Sequence, residues 1–407
     1  MSETQASSVR SRVIGALRIA FALGLLWFVA QTVPWRDSLV VDGQSFTGQV
    51  RGDWKGEEIH FRLDALEEVP QALRESGLGA ALATGDEVLA RHDGITAGSF
   101  HAAECTWQAG MPRAFSDLDL RGVFTALGFM LVSSIVCITR WWRLLALIDC
   151  RTSWGNAMRL TYIGLFFNLV VPGLTGGDLI RGVMVVREHP DRRADALMSV
   201  IVDRLLGLLM LTAIAVAAIF WVGEPLHELR LPVALALGAI LAGLAAFLNP
   251  NVRRLTHFDA IVDRLPKGEK LRKLDRALRH YASQPAEMAF ALLLSLVNHL
   301  MIAAAIMTIG HAFGDQLAYP QYLSVSGVAN TLSSLPIAPG GWGVGEAAFG
   351  TLFVMLGAAA TLGVATSVTF RLCNMALSLV GGVFLILPGG RKMRAEIEQT
   401  RSIDADD

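Results

Sequence analysis

Residues 205–222 read LLGLLMLTAIAVAAIFWV and contain no charged side chain. About 20 apolar residues in a helix span the hydrocarbon core of a bilayer, so this stretch predicts a membrane span. The runs 14–33 and 231–248 are similarly long and largely apolar. Of the 407 residues, 53% are hydrophobic and 17% are charged, whereas soluble domains carry about 25% charged residues. The composition therefore indicates a polytopic membrane protein rather than a soluble enzyme.

The basic residues predict the orientation of the chain. They cluster beside alternate apolar runs, whereas the loops 223–230 and 314–320 hold three acids and one arginine. The positive-inside rule then places both termini in the cytoplasm, with run 14–33 as a retained first span of a bacterial inner-membrane protein. The net charge of −1 gives no indication of a nucleic-acid partner.

The charge distribution divides the chain into parts. We predict a cytoplasmic tail and first span (1–34), an acidic extracytoplasmic domain (35–117), a transmembrane domain (118–390) and a cytoplasmic tail (391–407). The outer region holds 14 acids and 7 basic residues. Its stretches at 45–54 and 58–63 alternate polar and apolar side chains, which predicts short antiparallel strands, with a helix at 69–82. A structural cap is favoured over a catalytic domain there.

A second polar segment, 250–285, interrupts the transmembrane domain on the cytoplasmic side. Within it, residues 267–280 have the pattern of a basic amphipathic helix. Such a helix either lies on an anionic leaflet or forms a solvated linker with one packed face.

Two apolar segments are broken by glycine and proline. Residues 167–181 read FNLVVPGLTGGDLIR, and residues 330–346 read NTLSSLPIAPGGWGVGE. Each starts near an asparagine, contains a Pro-Gly turn and a glycine pair, and ends near an acid, Asp178 or Glu346. By the topology above they enter from opposite sides as re-entrant hairpins, an arrangement typical of inverted repeats with a site near the midplane.

The chemistry of these breaks admits more than one reading. Exposed N–H groups at the start of a helix bind anions, such as a lipid phosphate. Asp178 and Glu346 repel a phosphate; they cap their helices, accept an amine, carry a proton or pair with Arg181. Helix caps without any ligand are the simpler alternative, but two matching breaks favour a binding site.

Ionisable residues inside apolar runs point to the same region. Arg371 lies far from both ends of its run, and burial in hydrocarbon costs at least ~2.5 kcal/mol, so it should face an acid or an aqueous cavity, with Asn374 on the same helical face. Asp203 and Arg204 either pair at the interface or join the site. Asn298 reads as a helix contact, and the run 140–143 (RWWR) as an interfacial anchor.

With these motifs the chain resembles the lysylphosphatidylglycerol synthase transmembrane family, also called flippase-like, over roughly residues 120–390. The resemblance rests on 140–145, 168–181, 199–204 and 336–346 with Arg371. It implies movement of phospholipids or lipid-linked groups between leaflets. Three features depart from the family: no synthase domain is expected after Asp407, region 35–117 reads as an insertion, and Asp203 stands where the pattern has Glu.

The sequence thus predicts an all-α polytopic membrane protein of about six spans and two re-entrant hairpins, with a small β-rich insertion. We expect a lipid flippase or transporter for an anionic phospholipid or lipid-linked substrate. A membrane transferase and an envelope scaffold that binds a protein through its outer domain are the alternatives. No catalytic residue, metal or cofactor is expected. The predicted substrate-binding residues are Asn168, Pro172, Gly173, Gly176, Gly177, Asp178, Arg181, Asp203, Arg204, Pro339, Gly340, Gly341, Gly345, Glu346, Arg371 and Asn374.

Overall fold

The structure is a computed structural model. It describes residues 27, 35–41, 44–52, 58–65, 77–91, 94–96, 105–170, 176–255, 268–334 and 343–386. Most of the predicted first span lies outside these residues, as do the tail 391–407 and the centres of both broken segments, with Pro172, Gly173, Pro339, Gly340 and Gly341.

Six antiparallel strands form one sheet in the order β5-β4-β3-β2-β1-β6. The predicted strands at 45–54 and 58–63 correspond to β2 and β3, and the predicted helix at 69–82 overlaps a short helix, α1, in its second half. The elements are β1 (Asp37–Val41), β2 (Gln44–Arg51), β3 (Glu58–Leu63), α1 (Gly77–Thr84), β4 (Glu87–Arg91), β5 (Gly94–Thr96) and β6 (Cys105–Gln108).

Alternation along the strands gives the sheet one apolar face, which α1 covers. Along β3 every second residue is buried, and Phe61 packs with Leu78 and Leu82 of α1 in the same core. The buried Asp37 carboxylate ties this sheet to the next helix: it accepts hydrogen bonds from Gly110 N (2.7 Å) and Arg113 Nε (2.8 Å). The sheet is therefore fixed to the chain that leads into the helical part.

The rest of the described chain is helical. Five segments are long and apolar enough to cross a membrane: 120–147, 190–222, 224–246, 285–312 and 360–385. The helices are α2 (Met111–Ser116), α3 (Leu120–Leu147), α4 (Trp154–Val170), α5 (Gly176–Glu188), α6 (Arg193–Val222), α7 (His227–Leu248), α8 (Pro250–Leu255), α9 (Gly268–Ala282), α10 (Pro285–Ala312), α11 (Tyr319–Ser334), α12 (Val344–Met355) and α13 (Ala360–Ile386).

Helices α3 and α10 run antiparallel and define the two ends of the bundle. At the end nearer the sheet, Asp119 N donates to Ala312 O (3.0 Å). At the opposite end, Arg143 of α3 pairs with Glu287 of α10 (2.8 Å). We call these ends the sheet side and the far side.

The two described helices that flank each broken segment pack against each other, and we call these pairs the first hairpin (α4 and α5) and the second hairpin (α11 and α12). Helices α4 and α5 meet at the far side, where Arg159 pairs with Glu188 (3.1 Å). Helices α11 and α12 meet at the sheet side, where the rings of Tyr322 and Phe353 are 5.8 Å apart and α12 packs against the start of α13. The two helix pairs therefore meet at opposite sides of the bundle.

Helix α9, within the predicted basic segment, packs one face against the far side. Ala277 and Tyr281 are buried in the core formed with α3, α4 and α6, and Tyr281 Oη donates to Leu144 O (3.0 Å). Arg276 and Arg279 are exposed. The helix has the packed face that one of the two sequence readings required.

Candidate functional site

Close packing of small residues brings α4 and α5 together. A Cβ atom on Gly177 would lie only 2.0 Å from Gly164 O, so only glycine fits there. The Gly177 N–H donates to Asn168 Oδ1 (2.7 Å). The asparagine that opens the first broken segment therefore caps the first turn of the returning helix.

Three charged side chains meet in the bundle interior behind this hairpin. Asp203 of α6, 1% exposed, accepts a hydrogen bond from Arg140 Nε of α3 (2.8 Å) and one from Arg181 Nη2 of α5 (3.2 Å). Arg140 Nη1 also donates to Ser295 Oγ of α10 (2.6 Å). We call Arg140, Asp203 and Arg181 the buried charge cluster; because it holds two guanidinium groups and one carboxylate, it carries one net positive charge.

Aromatic packing fixes the orientation of Arg181. Its guanidinium carbon lies 3.7 Å from the ring centroid of Trp141, a distance at which a cation is attracted by the ring face. Trp141 is fully buried, and its indole N–H donates to Ser199 Oγ (3.1 Å). Arg181 is thus held on one face by an immobilised ring.

A second ion pair lies beside the cluster. Arg204 follows Asp203 on α6, and its Nη2 contacts Asp178 Oδ1 of α5 at 2.6 Å. The Arg204 side chain is 57% exposed, in contrast to the buried Asp203. This pair is neutral, so the net charge of the region remains that of the buried charge cluster.

A cavity of about 290 Å³ adjoins the two ion pairs. Helices α3, α4, α5, α6, α10 and α13 all contribute to its walls, which are partly apolar and partly polar. Away from the charges, the polar lining consists of hydroxyl and amide groups, with a cysteine: Ser133, Ser134, Cys137, Thr161, Tyr162, Asn168, Asn298, Asn374 and Ser378.

The second hairpin carries its own buried ion pair. Glu346, 1% exposed, accepts a hydrogen bond from Gly343 N (2.5 Å), which caps α12. The other carboxylate oxygen pairs with Arg371 Nε of α13 (2.5 Å). A Cβ on Gly345 would lie 2.2 Å from Arg371 Nη2, so the glycine leaves room for the guanidinium. Arg371 faces an acid, which is one of the two surroundings that its position in the sequence predicted.

Residues 106–382 match the family described as the lysylphosphatidylglycerol synthase TM region. This chain belongs to that family. It is also similar to the UPF0104 membrane protein PH1989 of Pyrococcus horikoshii, with 22% identity over 309 residues, covering 69% of this chain and 92% of the relative. The resemblance drawn from the motifs is thereby confirmed. The lysylphosphatidylglycerol synthase TM match includes every residue that lines the cavity and begins at β6, after the other five strands.

The cavity brings together many of the residues singled out in the sequence of this lysylphosphatidylglycerol synthase TM protein. Gly176 and Gly177 begin α5 next to them, while Gly345, Glu346 and Arg371 form the separate pair of the second hairpin. Arg371 is one turn from Asn374 on α13, so this helix connects the two groups. The predicted residues that line the cavity are Asn168, Asp178, Arg181, Asp203, Arg204 and Asn374.

Two local interpretations were wrong. Asp178 pairs with Arg204, and not with Arg181 on its own helix, because Arg181 turns inward to Asp203. Arg140 and Trp141 are not an interfacial anchor, since both are buried and belong to the site. Asn298, read as a helix contact, does accept a hydrogen bond from Ser133 Oγ (2.7 Å).

The sequence analysis missed Arg140 and its partner Ser295. A signal was present for Arg140: it lies about two turns inside the end of a long apolar helix, a depth at which an arginine requires an acidic partner. Nothing in its sequence distinguishes Ser295 from the other serines of the membrane segments.

Proposed function

We propose that this protein moves an anionic phospholipid or lipid-linked substrate between the leaflets of a bacterial inner membrane. The observation that carries the proposal is the depth of the charged cavity. Ser133, Asn298 and Asn374 line it, and each lies at the middle of its long helix, α3, α10 or α13. A polar cavity at mid-depth can hold a head group on its way between leaflets, and transporter sites lie near the bilayer midplane.

The cost of the charges supports a transport role. An arginine at the centre of a membrane helix costs about 2.5–3.5 kcal/mol on insertion scales. Two arginines of the bundle, Arg140 and Arg181, are buried, and a third, Arg371, is partly buried. Ionisable residues in the interior of a membrane bundle mark substrate paths in membrane proteins.

The opposed hairpins support the same reading. At 1.5 Å per residue, α4 is about 26 Å long and α5 about 20 Å, shorter than the ~30 Å hydrocarbon core. Together they suit a re-entrant hairpin, and α11 and α12 suit a second one of opposite direction. We propose that the pair forms an inverted arrangement, with both termini and the far side in the cytoplasm.

A reconstituted translocation assay tests the proposal. Vesicles containing the full chain and a head-group-labelled anionic phospholipid are treated with a membrane-impermeant quencher, and the loss of protected signal is followed. We expect translocation in the wild type and a rate reduced about tenfold or more in Arg181→Gln, the loss equivalent to one charged contact. Arg143→Gln, on the far-side surface of α3, is the matched control. A translocation rate in wild-type vesicles that is no higher than the rate in vesicles without protein contradicts the proposal.

The same vesicles separate the alternatives. A covalently altered lipid, detected by mass spectrometry, supports a membrane transferase instead. We also propose that the exposed arginines of α9 contact an anionic leaflet, and that the sheet offers a surface for a protein partner. A translocation rate that rises with the anionic lipid fraction in the wild type, but not in Arg276→Gln, supports the α9 contact. Loss of a co-purifying protein on deletion of residues 36–116, with translocation intact, supports the scaffold role.

A further inference from the structure

We infer that the buried charge cluster binds the phosphate of a monoanionic phosphodiester head group, and that Asp203 limits the site to one negative charge. This inference rests on the proposed function, because it takes the cavity as the place where the substrate sits. It assigns Arg181 as the contact residue and Arg140 as a positioning residue.

The net positive charge of the cluster favours the binding of an anion. Arg140 and Arg181 share the single carboxylate of Asp203, and the neighbouring Asp178 is engaged by Arg204. An uncompensated guanidinium in a low-dielectric interior is strongly unfavourable. One further negative charge in the cavity brings the net charge of the cluster to zero, whereas two would give it a net charge of about −1.

The hydrogen-bond inventory distinguishes the two arginines. Arg140 already donates through Nε to Asp203 and through Nη1 to Ser295, so it holds Asp203 in place. Arg181 donates to Asp203 through Nη2, while its buried Nε–H has no partner among the described residues. Buried N–H groups in native proteins are nearly always satisfied, so this donor, on a residue that lines the cavity, indicates a ligand acceptor.

The geometry of Arg181 suits a phosphate oxygen. Its guanidinium carbon lies over the Trp141 ring, 3.7 Å from the centroid, so the ring occupies one side of the group and the ligand must approach from another. A planar fork of N–H groups matches phosphate geometry better than a point charge does. The groups that remain around the cavity are neutral: the amides of Asn168, Asn298 and Asn374 and several hydroxyls. They can hydrogen-bond an uncharged polar remainder of the head group, and all charged groups in the described lining are already assigned.

Asp203 acts in this scheme as a specificity determinant. With the carboxylate present, the cluster offers one positive charge, which matches a phosphodiester. Replacement by asparagine raises the offered charge to two and should favour a phosphomonoester, which carries up to two negative charges at neutral pH. The selectivity of the site therefore follows the charge of residue 203 while the size of its side chain changes little.

The test is a binding measurement on the detergent-purified full chain, without any translocation step. Native mass spectrometry compares short-chain phosphatidylglycerol, phosphatidylcholine and phosphatidic acid with identical acyl chains, and inorganic phosphate serves as the soluble competitor. We expect the wild type to prefer the diester anion over the zwitterion. Arg181→Gln should bind it about tenfold more weakly, and Arg143→Gln should bind like the wild type.

The decisive comparison is Asp203→Asn, in which the affinity ratio of phosphatidic acid to phosphatidylglycerol should rise about tenfold. Because this variant leaves two arginines without a carboxylate, it is paired with the double variant Arg140→Gln/Asp203→Asn. The double variant keeps one positive charge, and we expect it to retain the preference of the wild type for the diester.

Each of several results overturns the inference. If Arg181→Gln binds phosphatidylglycerol as tightly as the wild type does, Arg181 is not the contact residue. If folded Asp203→Asn has the same affinity ratio of phosphatidic acid to phosphatidylglycerol as the wild type, Asp203 does not limit the charge of the ligand. The same conclusion follows if the double variant prefers phosphatidic acid. Inorganic phosphate that binds more tightly than the lipid assigns the site to a free anion. Binding as expected with no translocation in vesicles leaves this inference standing and contradicts only the proposed function.

Discussion

Replacing Arg140 with leucine should cost more stability than any single contact in the cluster suggests. The substitution removes the 2.8 Å bond to Asp203 and the 2.6 Å bond to Ser295. It leaves an almost fully buried carboxylate with one remaining partner, Arg181, at 3.2 Å. Hydrogen bonds to charged groups contribute about 1.5–3 kcal/mol each, so the two that Arg140 makes contribute about 3–6 kcal/mol together, even though Arg181 still balances the charge of Asp203. We expect a loss of that size in the free energy of unfolding.

The measurement is reversible unfolding of the purified protein in mixed micelles, titrated with a denaturing detergent. Arg143→Leu provides the control on the same helix, because its pair with Glu287 is partly exposed, at 43% and 32%, and such pairs contribute about 0–1 kcal/mol. Similar losses in the two variants would refute the reasoning, since they would mean that Asp203 does not depend on Arg140.

Three further predictions concern other parts of the molecule. Gly177→Ala should lower the free energy of unfolding by about 1–3 kcal/mol, because its Cβ would meet backbone at 2.0 Å, whereas Gly128→Ala, with nothing within 4 Å of the added Cβ, should be neutral or slightly stabilising. Asp37→Asn should destabilise the sheet by about 1–3 kcal/mol, seen as faster proteolysis of that region. Glu346→Gln should reduce translocation about tenfold, because Arg371 then loses its carboxylate.

Each of these predictions has a contradicting outcome. Equal stability of the two glycine variants would mean that the first hairpin can separate without cost. If Asp37→Asn is cleaved at the same rate as the wild type, the sheet is held by its apolar core alone. If Glu346→Gln translocates lipid at the wild-type rate while Arg181→Gln shows the expected loss, the second hairpin is a structural element only.

The sequence predicted the parts of this molecule that depend on local pattern. Apolar run length identified the membrane helices, and alternation identified β2 and β3. The depth of Arg371 within its run predicted either an acid or an aqueous cavity beside it, and the structure has Glu346 there. In each case the property is determined by neighbours along the chain and by the medium around them.

Partner choice among charges could not be read in the same way. Asp178 and Arg181 are three residues apart, a spacing that allows a pair on one helix, yet each pairs with α6 instead. Arg140 meets Asp203 across a separation of 63 residues. Such contacts depend on how whole helices are packed, and that arrangement is not encoded in any short stretch of sequence.

The two ion pairs between α5 and α6 have a mechanical consequence. Adjacent residues of α6, one negative and one positive, engage a positive and a negative residue of α5 in crossed fashion. Sliding or rotation of either helix against the other would lengthen both pairs together, so the two pairs keep α5 in register with α6. Helix α4, in contrast, meets α5 and α13 by close backbone approach at Gly164, Gly177 and Gly381, so register is set by charge on one side of α5 and by shape on the other.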